Sequence, residues 1–322
     1  MSELNFDLAA NECLINKTDN FQNSLKRIDD LEQKVSPDDF AKILIHFFSI
    51  SNDYNVINYI IKKMNKHKNK EFVSVLIDTL ILKDNFKNRI NNTELQTQIR
   101  VNAAKLLANL KDTSAVNALL YCLNNKQENY KLRLSCAEAL GKIGDKYAVL
   151  PLSEILKDES ENSVYLKESA AFALGMIGDK KAVDSLVSIL ETKKGIMDKF
   201  TFLKERAIEA LSRINFNNDR VFEALKQSLK DASPQVRINA VEALSNLDDD
   251  RVSDILYSSL SDKSEDVVRS VIFAMFNVNG EKILYHIIND DRLPEHTMKI
   301  IREVIKEVEN TDEEFEDNSE NF

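Results

Sequence analysis

Four histidines, three cysteines and many carboxylates are the side chains of this 322-residue sequence that could do chemistry, and their spacing gives them no common centre. His46, His67, His286 and His296 are scattered, and none stands at a zinc-site interval from a cysteine. There is no Gly-rich phosphate loop and no GxSxG elbow. Cys13, Cys122 and Cys136 are odd in number, widely spaced and without a CxxC, so a disulfide framework is not expected and a reducing, cytoplasmic setting is. Asp112, Asp145 and Asp179 recur in similar turns, where accepting a backbone N–H at a helix start is their simplest work. These residues call for no catalytic group, no metal and no cofactor.

The elements that must position these side chains follow from an internal repeat. Five segments align from Ile99, Leu132, Leu166, Leu203 and Val236, with starts 33, 34, 37 and 33 residues apart. A weaker copy begins near Val267, and a degenerate one runs from about Val56 to Asp84. Each copy reads as two helices. Val236, Ala240, Ala243, Leu244 and Leu247 share one face of a first helix, and Val183, Leu186, Val187 and Leu190 one face of a second. Between them lie the turns KIGDK and MIGDK, in which Gly144 and Gly178 can end the first helix in the left-handed conformation. Ala103, Cys136, Ala170, Ala207 and Ala240 form a column of small side chains that lets stacked helices approach closely, so Cys136 reads as a small buried hydrophobe. Single hairpins enclose no core and gain one only from their neighbours. The expected fold is all-α, a right-handed α-solenoid of stacked helix hairpins.

With these residues in place, the pattern (V/L)R-x-x-A-x-x-A-L-G-x-I-G-D-x-x-A-V-x-x-L resembles the HEAT-like repeat of phycobilisome lyases and many other bacterial and archaeal proteins. Arg133, Ala139-Leu140-Gly141, Ile143-Gly144-Asp145 and Ala148-Val149 carry the resemblance, as do Leu174-Gly175, Ile177-Gly178-Asp179 and Ala182-Val183. Lys167 and Lys204 depart from it, standing where Arg100, Arg133 and Arg237 sit in the other copies. The resemblance implies an architecture more firmly than a job, because it spans lyases and scaffolds. A bilin-lyase-like enzyme or lyase subunit, acting on a client protein, is the alternative it implies. Deoxyhypusine hydroxylase is a HEAT-repeat di-iron enzyme with repeated His-Glu dipeptides; this sequence has none, and that reading is set aside.

Charge and composition narrow the partner. The formal net charge of −10 falls on the two ends: residues 309–322 hold seven acids and no base, and the first twenty hold four acids against Lys17. The neutral body weakens a nucleic-acid reading, which needs a positive field. A basic turn, Lys62, Lys63, Lys66, Lys68 and Lys70 around His67, reads as a solvated helix end. No apolar run is long enough to span a membrane. The expected organisation is a poorly ordered arm at 1–20, capping helices with a degenerate repeat at 21–95, a solenoid with a C-terminal capping helix at 96–308, and an acidic disordered tail at 309–322.

The favoured reading is a non-catalytic scaffold that binds another protein on its concave face. In solenoids of this type the second helices line that face. The candidate column there is Tyr121, Glu154, Ser188, Gln227, Tyr257 and Tyr285, with the tyrosines as anchors of large contact area and low entropy cost. The competing expectation is that these rings pack between helices.

Overall fold

The computed structural model describes residues 21–83, 90–191 and 201–319. The expected N-terminal arm therefore lies outside the described residues. Within them the chain is helical, with no strand, and no helix is long and apolar enough to cross a membrane. The chain divides into two units, Met1–Ile177 and Gly178–Phe322.

In the first unit, α1 (Phe21–Lys34) and α2 (Pro37–Ile50) precede the hairpins. Ser36 caps α2 by accepting the Asp39 N–H at 3.2 Å, and Pro37 occupies the first turn, where no intrahelical N–H is required of it. The face it buries is aromatic: Phe40, Phe47 and Phe48 are fully enclosed. Three hairpins follow: α3 (Tyr54–His67) with α4 (Phe72–Leu80), α5 (Thr93–Leu110) with α6 (Val116–Asn124), and α7 (Tyr130–Ile143) with α8 (Val149–Lys157). The helix α9 (Val164–Ile177) closes the unit. First helices stack on first helices, α3 on α5, α5 on α7 and α7 on α9, while α6 packs on α7 and α8 on α9.

The second unit holds α10 (Val183–Glu191), α11 (Thr201–Ile214), α12 (Asp219–Ser228), α13 (Pro234–Ser245), α14 (Arg251–Ser259), α15 (Glu265–Asn279), α16 (Lys282–Ile287) and α17 (Glu295–Ser319). It repeats the scheme: α11 stacks on α13, α13 on α15 and α15 on α17. The backbone of α17 is helical as far as Ser319.

The small column is buried as expected: Ala103, Cys136, Ala170, Ala207 and Ala240 are all fully inaccessible. Close approach is tight at Gly141 of α7, where a Cβ would lie 2.7 Å from the Cα of Ala173 on α9. Gly144 and Gly178 take φ of 79° and 72°. At the same turn in the α5–α6 hairpin Lys111 adopts φ 53° without being glycine. The aspartates then cap a short 3₁₀ turn that leads into the second helix. Asp112 accepts from Ser114 N at 2.9 Å, Asp145 from Tyr147 N at 2.8 Å and Asp179 from Lys181 N at 2.9 Å. Capping is what the turn ladder does.

Candidate functional site

Between hairpins, the charged groups with the most burial are structural anchors. Arg100 donates Nε–H to the Leu80 carbonyl at 2.7 Å and grips Glu128 with both terminal nitrogens at 2.8 and 2.6 Å. Arg133 repeats this on the Leu123 carbonyl at 2.8 Å and on Glu161 at 2.7 Å. In the second unit Arg237 forks onto Asp262 at 2.8 Å through two nitrogens and also donates to the Asp231 carbonyl at 2.9 Å. Lys204 stands in the same column and pairs with Asp231 at 2.6 Å. Each arginine meets the carbonyl end of the preceding second helix or the loop after it, where helix-end carbonyls and the macrodipole favour positive charge. Six residues after Asp262 the column holds buried Val268 instead of Arg, and Thr297 of α17 supplies a hydroxyl to the Leu260 carbonyl at 2.7 Å. The sequence pattern shows the arginines but not their acids, which sit 25 to 28 residues further on, in the connecting segments.

Part of the basic turn of α3 is paired in the same manner. Glu32 of α1 accepts from Lys63 at 2.5 Å, Lys66 at 2.6 Å and His67 at 2.8 Å. These contacts, the Lys63 bond first, draw the Glu32 carboxyl down to about 2. Burial works against the Lys63 charge, but its bonds to Asp29 and Glu32 outweigh that and hold its ammonium above the ordinary lysine range.

Cys122 and Cys136 are buried beside one another on α6 and α7. Burial pushes the Cys136 thiol up, as befits a core residue. Cys13 lies outside the described residues. Among the described residues no group of three or more His, Cys, Asp or Glu could hold a metal ion. The structure does not gather the four histidines into one cluster: His46 is on α2, His67 on α3, His286 on α16 and His296 on α17.

The six residues of the candidate column do not share one register. Second helices end in an Asx turn that serves as a ruler. Asn125 accepts from Gln127 N, Asp158 from Ser160 N, Asp231 from Ser233 N, Asp262 from Ser264 N and Asp290 from Arg292 N. Four residues before it come Tyr121, Glu154 and Gln227, all exposed, Tyr121 at 62%. In the last two copies that position belongs to Ser258 and His286, so Tyr257 and Tyr285 stand one residue earlier, turned by about 100° around their helices. Apolar spacing alone tolerates such a slip, and the turn fixes it. Tyr257 is half-buried and its hydroxyl accepts from Arg292 at 3.3 Å; Tyr285 is 44% exposed and donates to Glu281 at 3.2 Å. Ser188 is half-buried and donates to the Ser185 carbonyl at 2.7 Å.

Comparison with known proteins agrees with this architecture. The family model of HEAT repeats matches residues 92–164 and 196–275, and that of the PBS lyase HEAT-like repeat matches residues 166–192. No curated protein sequence matches the chain. Among solved structures, Kap121p aligns at 14% identity with a TM-score of 0.52, over 93% of this chain and 37% of its own. YibA of Escherichia coli aligns at 16% identity and TM-score 0.50, over 89% of this chain and 97% of its own. The complex of CpcE and CpcF of phycocyanin lyase from Nostoc sp. PCC7120 aligns at 20% identity and TM-score 0.45, over 71% of this chain and 92% of that one. These likenesses concern the fold. On its repeat period, its hairpin geometry and the two family matches, the chain is a HEAT-repeat protein.

Proposed function

We propose that the protein is a non-catalytic scaffold that holds a partner protein on the exposed side of its second helices. The observation that supports this most is the division of labour along the repeats: paired arginines, lysines and acids fix the hairpins from within, leaving a series of exposed side chains outside. Tyr121, Glu154 and Gln227 present that outer series, and Tyr285 adds an exposed ring in the second unit. Extended surfaces built from repeated units suit a protein ligand better than a small one. In this reading the exposed Tyr121 of α6 is the anchor, since aromatic anchors concentrate binding energy at interfaces.

The test is recovery of partners on immobilised protein from its native cell lysate, identified by mass spectrometry, with wild type beside Tyr121→Ala/Tyr285→Ala. A specific partner retained by wild type and reduced about tenfold by the double substitution supports the reading, a loss in the range of one interface hot spot. The thermal midpoint should stay within a few degrees, because both rings are substantially exposed. Equal recovery by both proteins removes the tyrosines from the site. A lyase-like role draws only on the single repeat matched at residues 166–192, and a shift of bilin absorbance on mixing would favour it over the scaffold.

A further inference from the structure

A second surface lies on the first helices of the first unit. There, α3 and α5 pack side by side and flank a groove of about 650 Å³. Its walls carry matching rows: Asn58, Lys62 and Asn65 on α3, and Asn102, Lys105 and Asn109 on α5. Members of a row are three, four or seven residues apart, which places them on one face of each helix. The rows are bonded across the groove, Asn102 Nδ2 to Asn58 Oδ1 at 2.7 Å and Asn109 Nδ2 to Asn65 Oδ1 at 2.9 Å. Asn102 Oδ1 is itself taken by Gln98 at 3.3 Å.

What remains open includes donors at every asparagine. Each carboxamide has two N–H donors and a carbonyl oxygen with two lone pairs. Among the described residues, Asn58 and Asn65 keep both amide hydrogens, and Asn102 and Asn109 keep one each. Lys62 and Lys105 are exposed and have no ion-pair partner among the described residues, unlike their neighbours Lys63 and Lys66, which Glu32 holds. Among the described residues no carboxylate lines the groove, although the sequence has more acids than bases.

We propose that this α3–α5 groove binds an acidic segment of a partner protein in extended conformation, with the asparagines donating to backbone carbonyls and Lys62 and Lys105 pairing with carboxylates. Asn58 to Asn65 spans about 10 Å along the helix, the length of roughly three extended residues. The paired asparagines hold one another in place, so little side-chain freedom is lost on binding. The site is independent of the second-helix tyrosines, and its failure would leave that reading untouched.

The experiment is fluorescence anisotropy on the full chain with a labelled eight-residue peptide carrying four glutamates spaced by serine and alanine. Its lysine-substituted counterpart and a single-stranded oligonucleotide of similar length serve as the other probes. Binding of the glutamate peptide should weaken about tenfold in Lys62→Glu/Lys105→Glu and fall with added salt, while the lysine peptide does not bind. Asn58→Leu/Asn102→Leu should also weaken it, by removing donors without altering charge. Should the charge-reversed protein prove poorly folded, Lys62→Gln/Lys105→Gln is read in its place. No binding of the glutamate peptide, equal affinity in the lysine variants, or tighter binding of the oligonucleotide would each overturn the proposal.

Discussion

Arg237 and Asp262 show how one pair can be both costly and needed. Both are largely buried, and a buried pair is a weak source of net stability while a half-pair is strongly destabilising. The same column elsewhere tolerates other solutions, Lys204 with Asp231 and the apolar Val268. Arg237→Leu alone should therefore cost about 3–5 kcal/mol, because Asp262 keeps its charge without its fork. Arg237→Leu/Asp262→Asn should recover much of that loss, since Asn still accepts the Ser264 N–H that Asp262 now takes at 2.8 Å. Acid should separate the two as well. Burial opposes the charge of Asp262, but Arg237 holds its carboxyl below the usual range, so the wild-type pair contributes stability above the ordinary carboxylate pKa and loses it as pH falls. Chemical denaturation from neutral pH downward should show the double variant flatter in that window. A double variant no more stable than the single one would mean that the arginine acts through the carbonyls rather than through Asp262.

At the scale of the element, the small residues decide how closely helices lie. Replacing a mid-helix glycine by alanine ordinarily stabilises by up to about 1 kcal/mol. At Gly141 the sign should reverse, since the new Cβ would meet the Ala173 backbone at 2.7 Å and neither helix can yield without moving its neighbours. Gly141→Ala should destabilise by about 1–3 kcal/mol, measured by denaturant midpoint; a stabilised variant would show that α7 and α9 can part at little cost. Repeat period and burial were legible from the sequence because apolar side chains recur at helical spacing and each copy checks the next. The capping aspartates and Gly144 were legible for the same reason. The anchoring acids were not, since apolar periodicity does not show that Glu128, Glu161 and Asp262, in the connecting segments, pair with arginines 25 to 28 residues earlier. The slip at Tyr257 escaped because short second helices offer too few apolar positions to fix register. The α3–α5 groove escaped because its asparagines pair across helices 44 residues apart in sequence.

At the scale of the whole molecule, stability is assembled from neighbouring hairpins within each unit. In the second unit α13 packs against α11, α12, α14 and α15, while α17 packs on α15 and bonds the Leu260 carbonyl at the end of α14. Energetics of this kind are close to a sum of repeat and nearest-neighbour contributions. A lesion in α13 should then spread by adjacency and fade. Ala240 is fully buried in the small column, and Ala240→Leu would overpack it at a cost of about 1–3 kcal/mol. Amide hydrogen exchange should show the greatest loss of protection in α11, α13 and α15, and a smaller one in α17. Uniform loss across all four helices would mean that the unit opens as a single cooperative body. A loss confined to α13 would mean that the hairpins hold themselves, which their open, one-sided apolar faces give them no means of doing.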